Sequence, residues 1–565
     1  MTTSPTTLIL DHACEHARTR GGEVYLTQPV GGGKVVDYSW AEVIDQSRRM
    51  AAHLQSLGFE RGARVAILSK NCAHFIMAEL AIWLGGYTTV AIFPTETAET
   101  VRYVLEHSEA SLLFVGKLDT WPAQAPGVPA HLPRIALPLA PHTRDVEGYD
   151  TWDSVIGRTA PLAGPPDRRG DELAMLIYTS GSTGQPKGVM TTFDAFSRAA
   201  EGFAAHTARQ SGGREDHRVL SYLPLAHSFE RSCVEGSSLV SGRVQVFFAE
   251  SLDTFIQDIK RARPTVFISV PRLWLKFQQG VFAKMPPAKL NRLLGIPLLG
   301  RLVARKVLTG LGLEHVQLAA SGSAPIPPEL ITWYRRLGLS ILEGYGMTED
   351  SSYSFASTVG ANAPGYVGVA QVGVMYRIAD NGEILIKSPG QCIGYYKQPE
   401  LTRECFTADG YFHTGDLGEI DARGLLKLTG RAKELFKTSK GKFVAPSPIE
   451  NRLNAHPMVE LSMVSGVGQP AAYAIVVVAE TLRPRLSDQA VRADVTTQLT
   501  QLLHDVNREL PEYEHLRMLV VAREPWSIEN RCLTPIMKIR RNSIETAVAP
   551  QIEAWYAAQG AVLWA

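Results

Sequence analysis

A chain of 565 residues is too long for one ordinary core, and at roughly 100–200 residues per domain several subdomains are expected. Apolar residues make up 45% and charged residues 20%, the balance of a globular protein. A formal net charge of +1 excludes a global electrostatic pull toward nucleic acid, so no nucleic-acid partner is expected.

Six cysteines (Cys14, Cys72, Cys233, Cys392, Cys405 and Cys532) form no C-x-x-C pair. Neither a zinc site nor a disulfide framework is implied, and a reducing compartment fits. The first twenty residues lack the order of a signal peptide, and no run reaches the ~20 apolar residues of a membrane span. A cytoplasmic location is expected.

In chain order, Val65–Ser69 reads as a buried strand, Ala73–Leu84 as the helix after it, and Ser111–Val115 as another strand. This rhythm predicts α/β architecture with mostly parallel sheets. Residues 118–170 are proline-rich and read as irregular connection. Strand-like runs resume at Leu173 and recur at Val244–Phe248, Thr265–Val270 and Val316–Ala320. From about residue 365 short strands and turns dominate, with a hairpin turn at Asp421–Gly424. AKELFKTSKGKFV, after Gly430 and Arg431, reads as a polar connection. The last ~130 residues form a small α+β domain of ordinary size. Its elements are strands at Leu461–Val467, Tyr473–Ala479 and Met518–Ala522 and a helix near Ala493–Leu510.

The strongest local signal is LIYTSGSTGQPKGV, Leu176–Val189. Its loop holds Thr179, Ser180, Gly181, Ser182, Thr183 and Gly184, ends on Lys187, and precedes a helix starting near Thr192. Glycines let backbone N–H groups approach, hydroxyls add donors, and a lysine adds charge, which is polyphosphate-binding chemistry in a strand–loop–helix setting. The spacing is not that of a Walker A loop.

This loop resembles the signature of the adenylate-forming superfamily, which includes acyl-CoA synthetases, luciferases and peptide-synthetase adenylation domains. Further motifs follow in the family's order from about residue 35 onward. In LPLAHSFER, His227 matches the aromatic gate of the acyl pocket, with a role in catalysis implied. In ASGSAP, Gly322, Ser323 and Ala324 match the loop along the adenine. In LEGYGMTE, Glu343, Gly344 and Tyr345 match the nucleotide site, Tyr345 by stacking on adenine. Thr348 matches the α-phosphate contact, and Glu349, with Ser180, the Mg²⁺ ligands. In YFHTGD, Asp416 matches the acceptor of the ribose hydroxyls, joined by Arg431. In LTPIMKIRR, Lys538 matches the lysine that drives adenylation.

The resemblance implies a fold of one large N-terminal domain (1–430), made of α/β subdomains and a β-rich subdomain, and a small mobile α+β C-terminal domain (431–565) hinged at Lys433. It implies ATP, Mg²⁺ and coenzyme A as cofactors. GYYKQPELTRE, KTSKGKFVAPSPIE and VPRLWLK are most similar to the long-chain fatty-acid branch. Trp274 matches a tunnel-gating tryptophan there and reads equally as core packing. Lys440 and Gly441 match the thiol path, where many relatives carry two glycines, and Lys440 replaces the first. The implied substrates are therefore a medium- to long-chain fatty acid, ATP and CoA. The rivals are an acyl-AMP ligase that loads a carrier protein and a non-catalytic homologue.

From Ile259 through Leu313 the sequence holds eleven Lys or Arg and no Asp or Glu. Such a segment suits peripheral contact with the inner face of a membrane, or simply balances acids elsewhere in the fold. A monomer and a homodimer both remain open.

Overall fold

The computed structural model describes residues 6–142, 149–180, 185–534, 537–558 and 560–565. In it, the run AHFIMAELAIWL forms the helix Ala73–Leu84, and every one of its residues is buried. A helix without a polar face has to be covered on all sides. Its cover includes the amphipathic helix Trp40–Ser56, capped by Ser39, whose hydroxyl accepts from the Glu42 N–H.

A seven-stranded sheet anchors the large domain. Its spatial order is Asp150–Thr151, Arg134–Ala136, Ala110–Val115, Arg64–Leu68, Thr88–Ile92, Leu173–Ser180 and Pro186–Thr192. All neighbours are parallel except the last two strands. The proline-rich stretch thus supplies the two short strands at one side of the sheet and the helix Trp152–Arg158, beside its irregular connection. Trp121 and Trp152, both fully buried, anchor that stretch despite its weak periodicity.

A second sheet joins His217–Ser221, Val244–Phe248, Val24–Pro29 and Val35–Ser39. A third runs Val266–Ser269, Leu318–Ser321, Ile341–Tyr345, Phe355–Ala356 and Val369–Ala370, its first three strands parallel. The β-rich part is an antiparallel sheet of Met375–Ile378, Glu383–Lys387, Phe412–Ile420 and Leu426–Arg431.

The small domain is built on Val459–Ser465, Ala472–Val478, Leu516–Val521 and Val562–Trp564. The helix Gln489–Glu509 covers one face through Val495, Leu499, Leu502 and Val506, while Ile544 and Trp555 cover the other. Two features differ from the expectation. The last three-residue strand is too short to show periodicity. The polar connection contains a two-stranded hairpin, Phe436–Lys437 with Phe443–Val444. Among the described residues no helix is long and apolar enough to cross a membrane.

Candidate active site

The loop expected to bind phosphate joins two antiparallel strands, so its setting is strand–loop–strand. The β-branched run Val189, Thr191 and Thr192 extends the chain after Lys187, and the helix Phe193–Gln210 starts only beyond it, capped by Thr192. The next helix in sequence is therefore separated from the loop by a full strand. Gly181, Ser182, Thr183 and Gly184 and the Ser180 side chain lie outside the described residues. Thr179 and Lys187 are cross-strand partners at the mouth of the hairpin. Gly188 permits close packing, since a Cβ there would lie 3.3 Å from the Tyr178 ring.

The outer strand of this hairpin is held by the segment Gly394–Tyr396. The Met190 N–H donates to the Gly394 carbonyl and the Tyr396 N–H to the Gly188 carbonyl. That contact brings in Tyr395, a site residue the motif reading missed. Its hydroxyl donates to Glu349 Oε1 at 2.7 Å, and Lys187 Nζ lies 5.7 Å from its ring centroid. Tyr395 thus links the lysine of one motif to the carboxylate of another. GYYKQPE holds an aromatic pair after a glycine, which by itself does not point to the site.

Parallel strands Leu318–Ser321 and Ile341–Tyr345 run in register, Ser321 beside Glu343, and deliver the two adenine motifs side by side at their carboxyl ends. Open α/β sheets bind ligands at such ends. Gly322 lies against Phe229, whose ring atom a Cβ would meet at 2.9 Å, and Ser323 adopts φ +67°. Glu343 is buried near the backbone N–H groups of Ile326 and Gly365, and burial raises its carboxyl to about 8. It props the adenine loop from below. Thr348 shares a 3.4 Å hydrogen bond with Ser228, which also pairs with Ser352 at 2.9 Å. The acyl-gate and α-phosphate motifs therefore touch through Ser228.

Tyr345 is buried, and its hydroxyl donates to Asp416 Oδ2 at 2.7 Å. Arg431 Nε lies 2.9 Å from Asp416 Oδ1. Asp416 and Arg431 are cross-strand partners, so the antiparallel ladder sets this pair. Each carboxylate oxygen has one protein donor and a lone pair left over, which suits a vicinal diol.

Lys538 comes from the small domain. Leu533 and Ile539 pair antiparallel, and the Thr534 N–H donates to the Lys538 carbonyl at 2.7 Å. Arg541 pins this segment: its guanidinium reaches Glu450 at 2.7 and 3.1 Å and the Val464 carbonyl at 2.8 Å. Lys538 keeps accessible surface yet is surrounded by both domains, as a group lining an open cleft is. Burial foremost, then the Arg431 charge, lowers its ammonium to about 8, while Asp416, Glu434 and Glu349 oppose that shift.

His227 faces the same cleft. Burial, then the nearby Lys538 charge, holds its imidazole down at about 3. Its Nδ1 accepts from the Phe229 N–H at 3.1 Å, so the neutral ring carries its proton on Nε2. The Phe93 ring meets it edge-on at 6.4 Å. Trp274 sits elsewhere, wholly within the core, between the rings of Phe267 (5.3 Å) and Tyr334 (5.0 Å). Lys433 lies exposed in the single turn Ala432–Glu434, directly after the ribose-site arginine. Lys440 and Gly441 occupy the exposed turn of the small hairpin, with Gly441 at φ +77°.

Among the described residues no group of three or more His, Cys, Asp or Glu side chains could hold a metal alone. Glu349 offers a single carboxylate, with Oε1 engaged by Tyr395. That donor set fits Mg²⁺ carried mainly by phosphate oxygens.

Fold and cleft together define an adenylate-forming enzyme of two unequal domains. The chain belongs to the AMP-binding enzyme family: that family's profile matches residues 14–396, and the profile of its C-terminal domain matches 434–560. It is 31% identical to the long-chain-fatty-acid–CoA ligase FadD15 of Mycobacterium bovis, over 93% of each chain. Fatty acyl-CoA synthetase A of Dictyostelium discoideum is 28% identical, over 93% of this chain and 87% of its own. Among solved structures, the adenylation domain of a carboxylate reductase from Mycobacterium chelonae superposes with a TM-score of 0.82 at 24% identity, covering 98% of this chain and 92% of its own. The anthranilate CoA ligase AuaEII, with bound anthranoyl-AMP, does so with a TM-score of 0.78 at 19% identity, covering 96% and 98%. At such identity these structures establish the fold alone.

Proposed function

We propose that the chain activates a medium- to long-chain fatty acid with ATP and transfers the acyl group to coenzyme A. The observation that carries this reading is the position of Lys538, in one cleft with Arg431, Asp416, Glu349 and His227. The names of the fatty acyl-CoA ligase relatives support the choice of acid and thiol.

In the first step the acid's carboxylate oxygen attacks the α-phosphorus of ATP and the bond to pyrophosphate breaks. Asp416 and Arg431 hold the ribose, and Tyr345 packs against the base. Thr348 and Lys538 donate to the oxygens on which charge builds, and donors fixed in advance lower the barrier without reorganising. Lys187 and Glu349 flank the departing phosphates from opposite sides of Tyr395. Mg²⁺, when bound at Glu349, supplies further positive charge to those phosphates. Neutral His227 closes the acyl side and cannot take the proton of an incoming fatty acid, so the acid enters as its nucleophilic carboxylate.

In the second step the small domain (431–565) pivots at Lys433, removing Lys538 and bringing the hairpin turn at Lys440 and Gly441 toward the thiol path. The thiol sulfur attacks the acyl carbonyl carbon, and AMP leaves with the mixed-anhydride oxygen. A second reading, transfer to a carrier protein, draws on Lys440 standing where many relatives have glycine.

Pyrophosphate exchange into ATP, measured across fatty acids from acetate to oleate with an aromatic and a dicarboxylic acid alongside, tests the first step. Exchange that rises with chain length and is lost in Lys538→Ala is the expected result. Exchange that is strongest with an aromatic or dicarboxylic acid would overturn the choice of substrate.

A further inference from the structure

The acid-free segment forms a face that the fold does not use. The helix Leu299–Leu311 buries Ala304 and Leu311 and packs Val303, Val307 and Leu308 against the core. Its opposite side presents Leu302, 66% exposed, together with Arg301, Arg305, Lys306 and Thr309. The turn before it exposes Ile296 (43%) and Leu298 (77%). Leu298 also sits at φ +65°, a conformation costly for a branched side chain, and gains no burial in return.

The charges around these leucines are unspent. Among the described residues Lys260, Arg301, Arg305 and Lys306 form no ion pair at 4.0 Å or less. Most arginines of this chain that lie near acids do pair with them, as Arg261 does with Asp258 at 3.1 Å. Lys260, Arg305 and Lys306, with Leu302, Thr309 and Gly310, also line a shallow, open depression of about 500 Å³.

We infer that this face docks on an anionic phospholipid surface. Ile296, Leu298, Leu299 and Leu302 enter the headgroup boundary, and the basic residues around them meet lipid phosphates, one of which the depression receives. Apolar area and basic charge act together in interfacial binding, and each cation near an anionic bilayer strengthens it by roughly fivefold. A protein partner would have to match four exposed leucine or isoleucine side chains and four cations from a segment without a single acid. An anionic bilayer does so without a specific shape. The face lies outside the catalytic cleft, so the inference stands whichever acid the enzyme activates.

The test is co-sedimentation of the full chain with vesicles of phosphatidylcholine alone or with phosphatidylglycerol as the minor component. At least tenfold stronger binding to the anionic vesicles is expected, weakening steeply with salt. Leu298→Ser with Leu302→Ser, and separately Arg305→Glu with Lys306→Glu, should each cut binding at least tenfold. Both variants should retain wild-type activation of a short soluble acid, which certifies their fold. Equal binding to both vesicle types, or unchanged binding by the folded variants, would overturn the inference. So would a dimer in solution that the leucine variant dissociates, because the face would then be an interface between copies. Full competition by inorganic phosphate would likewise overturn it in favour of a free-phosphate site.

Discussion

Tyr345 and Asp416, 71 residues apart in sequence, meet in a 2.7 Å hydrogen bond that ties the strand Ile341–Tyr345 to the strand Phe412–Ile420. Because Arg431 engages the other oxygen of Asp416, the carboxylate is fixed before nucleotide arrives. Preorganisation of this kind is lost when one donor is removed. Tyr345→Phe keeps the ring and deletes the donor, so KM for ATP should rise about tenfold while kcat changes less, on the ~1.5–3 kcal/mol of a hydrogen bond to a charged group. Steady-state kinetics at saturating acid checks this. An unchanged KM would mean the hydroxyl only fills space.

Lys538 should act in the adenylation step alone. Lys538→Ala is expected to slow pyrophosphate release by about 100–1000-fold, the range for losing one preorganised donor at a developing charge. Nucleotide binding, read by calorimetry with a non-hydrolysable analogue, should change little. The ammonium is charged below about pH 8 and neutral above it. Therefore kcat/KM for ATP, which reports the free enzyme, should fall as pH rises through about 8. Lys538→Arg, which stays charged, should flatten that limb.

The two domains are pinned together away from the chemistry. Glu460 of the small domain is held between its own Arg483 and Arg272 of the helix Pro271–Lys284. Arg531 approaches Glu99 at 3.8 Å across the same divide. These partly exposed pairs are weak individually, ~0.2–1 kcal/mol each. Glu460→Gln should therefore slow adenylation only two- to fivefold, and should not slow thiol transfer from preformed acyl-adenylate. Rapid-mixing measurement of each half-reaction separates the two. Equal slowing of both would show that the pair serves folding instead.

The acyl-gate loop rests on buried polar groups. Glu230 accepts from the Ser221 hydroxyl at 2.7 Å and the Tyr222 N–H at 3.1 Å, and burial raises its carboxyl to about 8. The folded protein thus holds this proton while the unfolded chain releases it near pH 4.5. The stabilisation is fully present below about 4.5 and is lost as pH rises toward 8. Glu230→Gln, neutral at every pH, should show a smaller fall in Tm between pH 5 and 8.5 than the unsubstituted protein. An identical pH slope would contradict this assignment.

Much of this was legible in the sequence because the chemistry sits in short contiguous motifs. Asp416 and Arg431 are named by the family motifs they resemble, and the helix Ala73–Leu84 by the apolar run that follows a strand-like segment. Tyr395 was not legible as a site residue, because its role depends on the segment Gly394–Tyr396 pairing with a strand two hundred residues earlier. The helix start near Thr192 was legible, but the strand Pro186–Thr192 before it was not, because so short a run does not establish a period. Arg541, beside the catalytic motif, reads as a solvated cation until Glu450 is seen beneath it. Trp274 shows the converse. Sequence similarity left it equally a tunnel gate or core packing, and only the fold shows its ring packed between Phe267 and Tyr334.

The most direct measurement is AMP release with ATP, Mg²⁺ and oleate, with and without coenzyme A, alongside pyrophosphate. The account predicts AMP release that requires both the long-chain acid and coenzyme A, with pyrophosphate formed in equal amount. Pyrophosphate formed from oleate without any acceleration of AMP release by coenzyme A would contradict it, and would move the acyl acceptor to a carrier protein.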